Sequence, residues 1–310
     1  MLLALGAAGR VAQCGGAVDR LLGRPSDAVV GRPLADLLTP ADAARVAAAF
    51  RDLPPDVVRP LGPVGAAGGH ANAAVYVRDG VRVIELTVAE AGPPVAAEGL
   101  ADAVDALTAR LAVDEPLAAF AQEVADRLRG LSGYDRVVVY RFDPDWNGEV
   151  IAEARASDAD PYLGLWYPAS DIPPQARDLY LRNTVRVLAD AAADPLPLAP
   201  RRHPETGRDL DLSLSLLRAM SPVHRQYLRN MGVRASLVAS VVRDGRLWGL
   251  VACHHRTPRV PSPAVRRLAE SAARLVATRA ALGEHRERAA GAASAQALLA
   301  RLAAHLDGAG

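Results

Sequence analysis

Apolar positions recur with two different periods along this chain. Up to about residue 90 they come in short alternating runs separated by turns. The clearest are Val75-Tyr76-Val77-Arg78 and Val81-Arg82-Val83-Ile84-Glu85-Leu86, on either side of Asp79-Gly80. An Asp-Gly pair between alternating runs predicts a tight antiparallel hairpin, because both turn residues must tolerate positive φ. The opening Leu2–Leu5 run stops at Gly6 and lacks a basic start, which suits a strand and turn better than a secretory leader. Between these strands, Leu34 to Phe50 is rich in Ala and Leu and predicts short helices, with Thr39 before Pro40 as cap and first turn.

Ala91-Gly92-Pro93-Pro94 breaks the pattern and marks a domain junction. The period then becomes helical: Leu100, Val104, Leu107 and Leu111 in one helix, Leu117, Phe120, Val124 and Leu128 in the next. Strands resume at Arg136 to Phe142 and Glu149 to Ala154, and a second hairpin, Ser236 to Val242 and Leu247 to His254, turns at Asp244-Gly245. Residues 155 to 230 carry no repeated strand pattern and read as a long excursion from the sheet, a place where ligands bind. From Ser262-Pro263 onward, Val265, Leu268, Leu275 and Leu282 stripe a helix that continues with interruptions to about Leu306. Such a stripe needs a second chain or a further domain to cover it. The fold class is α+β, with two antiparallel-sheet domains and a long C-terminal helix.

Composition narrows the function. A chain of 310 residues fits two cores. Half of it is apolar, yet no apolar run approaches bilayer length, so a soluble, cytoplasmic protein is expected. Its 36 basic residues are all Arg, and 35 carboxylates nearly cancel them. No basic block offers a footprint for nucleic acid or an anionic membrane. Cys14 and Cys253 are too few and too separated for a disulfide framework or a thiolate zinc site. The absence of a phosphate-binding Gly loop, a nucleophile elbow or ligand-spaced metal residues argues against an enzyme. Adjacent His254 and His255 on a strand face opposite ways and do not form a metal pair.

The segment richest in chemistry is Trp166-Tyr167-Pro168-Ala169-Ser170-Asp171-Ile172-Pro173-Pro174-Gln175-Ala176-Arg177-Asp178-Leu179-Tyr180. Its prolines force extended or turn backbone, which places Asp171 on a stiff loop rather than a helix. There the carboxylate can meet a buried cation or a row of N–H donors, or cap the helix that begins near Pro174.

Pro168-Ala169-Ser170-Asp171-Ile172-Pro173 resembles the bilin-pocket signature of phytochromes. The resemblance extends in family order through Gly133–Val137, Gly148–Glu153, His224–Val233 and Leu247–His255, while residues 1 to 90 resemble the PAS domain that precedes the pocket. A bacteriophytochrome photosensory core implies a PAS-like domain over 1–92, a linker helix over 93–112, a bilin-binding GAF domain over 113–283 and a helical stub over 284–310 leading toward a third, PHY domain. It implies a red/far-red photoreceptor holding biliverdin, with light-driven isomerisation as its signal. Arg186 and Arg218 match the positions that hold the propionates, where a planar guanidinium grips a carboxylate through two parallel hydrogen bonds. Asp171, followed by Ile172 and Pro173, turns toward the pyrrole nitrogens. His224 and His254 match the two pocket histidines. Tyr140, Tyr167, Tyr180 and Tyr227 correspond to aromatics around the rotating ring, and Ser221 and Ser236 to hydroxyls near the propionates.

The departures from the family are specific. Its biliverdin-attaching Cys lies upstream of the first strand, which here begins at Leu2, and Val223 stands where plant and cyanobacterial relatives carry theirs. Val238 replaces a frequent Ser or Thr contact to a propionate. Non-covalent binding, or a gene start placed too late, is therefore expected, with Cys14 as the alternative thiol. The resemblance also implies a homodimer through the GAF and C-terminal helices, an output module such as a kinase outside this chain, and incomplete photoconversion without the PHY domain. Two rival readings are a chromophore-free PAS–GAF dimerisation module and a GAF sensor of some other small molecule.

Overall fold

The computed structural model describes residues 1–88 and 97–307; the junction read at Ala91–Pro94 lies outside them. The first sheet is built from β1 (Leu2–Leu5), β2 (Val11–Gly15), β3 (Arg59–Ala66), β4 (Gly69–Arg78) and β5 (Val81–Thr87). Asp79 and Gly80 turn β4 into β5 with φ of 49° and 77°, the left-handed backbone that this dipeptide tolerates. Three short helices, α1 (Val18–Leu22), α2 (Ser26–Val29) and α3 (Pro40–Ala49), lie between β2 and β3. The Thr39 side chain caps α3 by accepting from the Asp42 N–H at 3.3 Å, and Pro40 opens its first turn.

In chain order there follow α4 (Ala97–Arg110), α5 (Leu117–Ser132), β6 (Arg136–Phe142), β7 (Gly148–Arg155), β8 (Trp166–Tyr167), α6 (Pro174–Arg182), β9 (Val185–Leu188), β10 (Leu198–Ala199), α7 (Pro222–Asn230), β11 (Ala235–Arg243), β12 (Arg246–His255) and α8 (Pro263–Asp307). The sheets run β10-β2-β1-β5-β4-β3 and β8-β7-β6-β12-β11-β9.

The segment read as leaving the sheet thus supplies both edge strands of the second sheet, β8 and β9, and an edge strand of the first. These strands are two to four residues long, too short for a period of two to register in the sequence. Asp171 also departs from the plain-loop expectation, since it ends a 3₁₀ turn over Ala169–Asp171. The C-terminal helix is continuous rather than interrupted. It buries Val265, Leu268, Ala272 and Val276 and is exposed from 285 to 299; the Leu306 side chain lies outside the described residues.

The described residues form two compact units. The first contains the first sheet together with α6, β9 and α7; the second contains α4, α5 and β6 to β8, and β11, β12 and α8 contribute residues to both. Within the first unit both faces of the first sheet are covered. Leu3, Val46, Val75 and Ile84 form a core with the short helices, while Leu2, Ala4, Tyr76 and Val83 pack against Leu198, Leu212 and Leu214 of the long connection between β9 and α7. Alternation along β5 puts Val81, Val83 and Glu85 on that second face. In the second unit α5 packs Phe120, Val124 and Leu128 against β6 and β7.

Candidate functional site

In the first unit Arg186, at the centre of β9, is only 3% exposed. Its NH1 and NH2 groups donate to the carbonyls of Ser215 and Arg218 at 2.8 and 2.7 Å. Two of the five N–H donors of a guanidinium are thereby engaged. Neither Arg186 nor Arg218 forms an ion pair among the described residues, and the buried Nε of Arg218 has no hydrogen-bond partner. Burial and then the neighbouring Arg218 charge push the Arg186 guanidinium down to about 10. Burial lowers Arg218 as well.

Six further residues named from the sequence belong to the same unit. The Tyr180 phenol on α6 is raised by burial and drawn back by the charges of Arg186 and Arg218. Ser221 caps α7 by accepting from the His224 N–H at 3.1 Å, with Pro222 in the first turn. That start sets His224 and Tyr227 three residues apart on one helix face, where their rings stack at 6.2 Å and 18°. Burial, followed by the Arg186 charge, depresses the His224 imidazole. Ser236 is buried in β11, and His254 is half-buried near the end of β12.

In the second unit Tyr140 on β6 and Tyr167 on β8 sit with ring centroids 6.0 Å apart, and Phe142 meets Tyr140 edge-on at 5.1 Å. Burial raises both phenols, and the Asp171 charge adds to each. Ile172 and Pro173 are half-buried beside Asp171. The Tyr140 ring occupies the place of a missing side chain: a Cβ on Gly148 would lie 1.6 Å from its Cζ. Gly249 is as constrained, since its Cβ would meet the Tyr140 carbonyl oxygen at 2.2 Å.

Sequence reasoning missed the groups that hold these two clusters. Arg136 pairs with Glu153 at 3.0 Å, its guanidinium lies over the Tyr162 ring at 3.4 Å, and Glu153 Oε2 accepts from the N–H groups of Tyr162 and Leu163 at 2.8 and 3.1 Å. Glu85 accepts from the Ser215 hydroxyl and from the N–H groups of Leu216 and Leu217. The useful signal was charge on strands otherwise apolar: Arg136 opens a run of valines, and Glu85 interrupts one of aliphatics.

Residues 116–280, more than half of the chain, match the family model for the GAF domain. The chain is 53% identical over 166 residues to a bacteriophytochrome of Xanthomonas campestris, covering 54% of this chain and 26% of that protein. It is 42% identical over 198 residues to the phytochrome-like protein Cph1 of Synechocystis, covering 64% and 26%. It spans about a quarter of the length of these curated relatives. Among solved structures, the chromophore-binding domain of the bacteriophytochrome RpBphP3 from R. palustris superposes with a TM-score of 0.82 at 34% identity, over 92% of this chain and 93% of that one. The chain belongs to the phytochrome family. The wild-type chromophore-binding domain of a Stigmatella aurantiaca phytochrome is similar too, with a TM-score of 0.79 at 34% identity over 89% and 92% of the two chains.

Both thiols of the chain are buried. Cys14 belongs to the first core, its Sγ 3.5 Å from the Ser26 carbonyl oxygen, and Cys253 is fully enclosed in β12. Burial raises both above the ordinary thiol range, the reverse of what a nucleophilic sulfur needs. Val223 is 79% exposed on the first turn of α7. No described helix of the phytochrome is long and apolar enough to cross a membrane.

Proposed function

We propose that this chain is a red/far-red photoreceptor module whose GAF domain takes a linear tetrapyrrole, biliverdin, without a thioether to either of its cysteines. The observation that carries the reading is the pair of buried Arg186 and half-buried Arg218, whose Nε is enclosed. Two like charges, partly desolvated and without an ion-paired carboxylate, are a cost to the protein alone and a receptor for a ligand with two carboxylates. The donors Arg186 leaves unengaged are enough for a bidentate grip. When bound, the bilin supplies visible absorption and light-driven rotation about one of its methine bridges.

The chain's own residues act around it. Arg186 and Arg218 hold the two propionates, and Ser221 and Ser236 add hydroxyls beside them. His224, kept neutral at pH 7 by its depressed pKa, offers one donor and one acceptor nitrogen. Asp171, with Ile172 and Pro173, presents a carboxylate to the pyrrole N–H row, and His254 serves the rotating ring. Tyr140, Tyr167, Tyr180 and Tyr227 supply the aromatic wall. The protein works in the cytoplasm as a pair of copies joined through the GAF domain and α8, whose Leu298 and Leu299 are exposed, and passes its signal to an output module.

Purified chain mixed with biliverdin is expected to develop a far-red band absent from free pigment. A denaturing gel should then show no zinc-dependent bilin fluorescence on the protein. A chain that leaves the biliverdin spectrum unchanged sinks the reading.

The depressed imidazole also predicts a pH dependence. The unfolded His224 binds its proton near the ordinary value of about 6.5, while the folded one binds it only at lower pH. Its contribution to stability is fully present above that value and is lost as pH falls toward the folded pKa. Denaturant unfolding between pH 7.5 and 5.5 should lose stability more steeply in the wild type than in His224→Gln; equal slopes contradict this.

A further inference from the structure

We infer that Glu85, on β5 of the first sheet, is a positioning residue that sets the carboxylate preference of the Arg186 site. The inference rests on the bilin reading of that site. Glu85 is 3% exposed and makes no hydrogen bond to Arg186 or Arg218, although its charge bears on the Arg186 guanidinium. It acts through the turn at Ser215.

Its Oε1 accepts from the Ser215 hydroxyl and from the Leu217 N–H at 3.3 Å, and its Oε2 from the Leu216 N–H at 3.2 Å. The Ser215 hydroxyl in turn accepts from the Leu217 N–H at 3.1 Å. The carbonyl of the same Ser215 receives Arg186 NH1 at 2.8 Å, and three residues on the Arg218 carbonyl receives Arg186 NH2 at 2.7 Å. One carboxylate therefore orders three successive residues whose far side fixes the direction of the guanidinium fork. Three further hydrogen bonds steady the turn: Asn183 Nδ2 donates to the Leu214 carbonyl at 3.0 Å, and Asp211 accepts from Arg78 Nε and from the Ser213 N–H, both at 2.7 Å.

The chemistry favours a carboxylate at position 85 over any apolar side chain. Buried N–H and O–H groups left without an acceptor are costly, and a carboxyl group supplies the oxygen acceptors that no apolar side chain has. With Glu85 removed, the turn loses its reason to hold the Ser215 and Arg218 carbonyls at the spacing of the fork. Arg186 keeps its charge and loses its aim.

The test compares biliverdin with its uncharged dimethyl ester on the whole chain. In Glu85→Ala the affinity for the free acid should fall about tenfold, while ester affinity stays within about twofold. Glu85→Gln, which keeps an oxygen for Ser215 and Leu217, should fall between, and its acid-to-ester ratio decides the matter if the Ala variant does not fold. Adding Glu85→Ala to Arg186→Met should cost nothing further, because both act on one contact. Wild-type binding with an unchanged acid-to-ester ratio in both Glu85 variants overturns the inference and leaves the bilin reading standing, as do equal losses for acid and ester or additive losses in the double variant. A wild-type chain that binds neither ligand overturns both.

Discussion

Arg186→Met weakens biliverdin binding about a hundredfold and leaves the unliganded chain about as stable as before. Both halves of this expectation come from the same observation. The guanidinium is buried, next to Arg218, with two carbonyl acceptors and no ion-paired carboxylate. Removing a charge that grips a ligand carboxylate in a desolvated site costs about 3 kcal/mol. Removing it from the empty site ends a like-charge repulsion and a desolvation cost, and Met fills the volume of the stem, so the lost hydrogen bonds are offset. Absorbance titration gives the first quantity and chemical denaturation without pigment the second. A variant that loses stability and binding together would make Arg186 an ordinary structural residue.

Glu153→Ala lowers the stability of the unliganded chain by about 3–5 kcal/mol, because breaking a buried pair leaves one charge without its partner. The Glu153 side chain is 3% exposed and that of Arg136 9%. Losing the carboxylate also takes the acceptor from the part-buried Tyr162 N–H. A chain of this size should show a fall of the thermal midpoint by roughly 10 °C. Replacing both partners with apolar residues, as in Arg136→Met with Glu153→Leu, should recover most of the loss. The damage ought to reach the site, since residues 156–165 lead directly into the strand carrying Tyr167. A Glu153→Ala chain within about 1 kcal/mol of wild type would contradict the account.

Of these two residues, Arg186 was legible in the sequence and Glu153 was not. The β4–β5 and β11–β12 hairpins stand out because Asp-Gly turns demand a backbone few other pairs accept, and Asp244 and Gly245 take φ of 49° and 71° as Asp79 and Gly80 do in kind. The helices α3, α4 and α5 stand out because an apolar face repeats over several turns. Arg186, Arg218, Tyr180, His224 and Tyr227 were named from the family resemblance, and the structure brings these five together.

What escaped notice depends on contacts distant in sequence. Glu85 looks like the solvent-facing member of an alternating strand, and becomes buried only because a segment 130 residues later covers that face. The β8, β9 and β10 strands are too short to show a period, and their pairing is decided by the longer strands beside them. Glu153 sits at a half-buried position of β7 that any polar residue suits, until Arg136 on the paired strand gives it a partner.

The continuous α8 carries a purely geometric consequence. At a rise of 1.5 Å per residue, its 45 residues extend ~68 Å. A tilt of about 3° at one end then moves the other by ~3.5 Å. That displacement equals a van der Waals separation. An angular change too small to break any hydrogen bond at the root of this lever is therefore enough, at its tip, to exchange one set of neighbouring atoms for another.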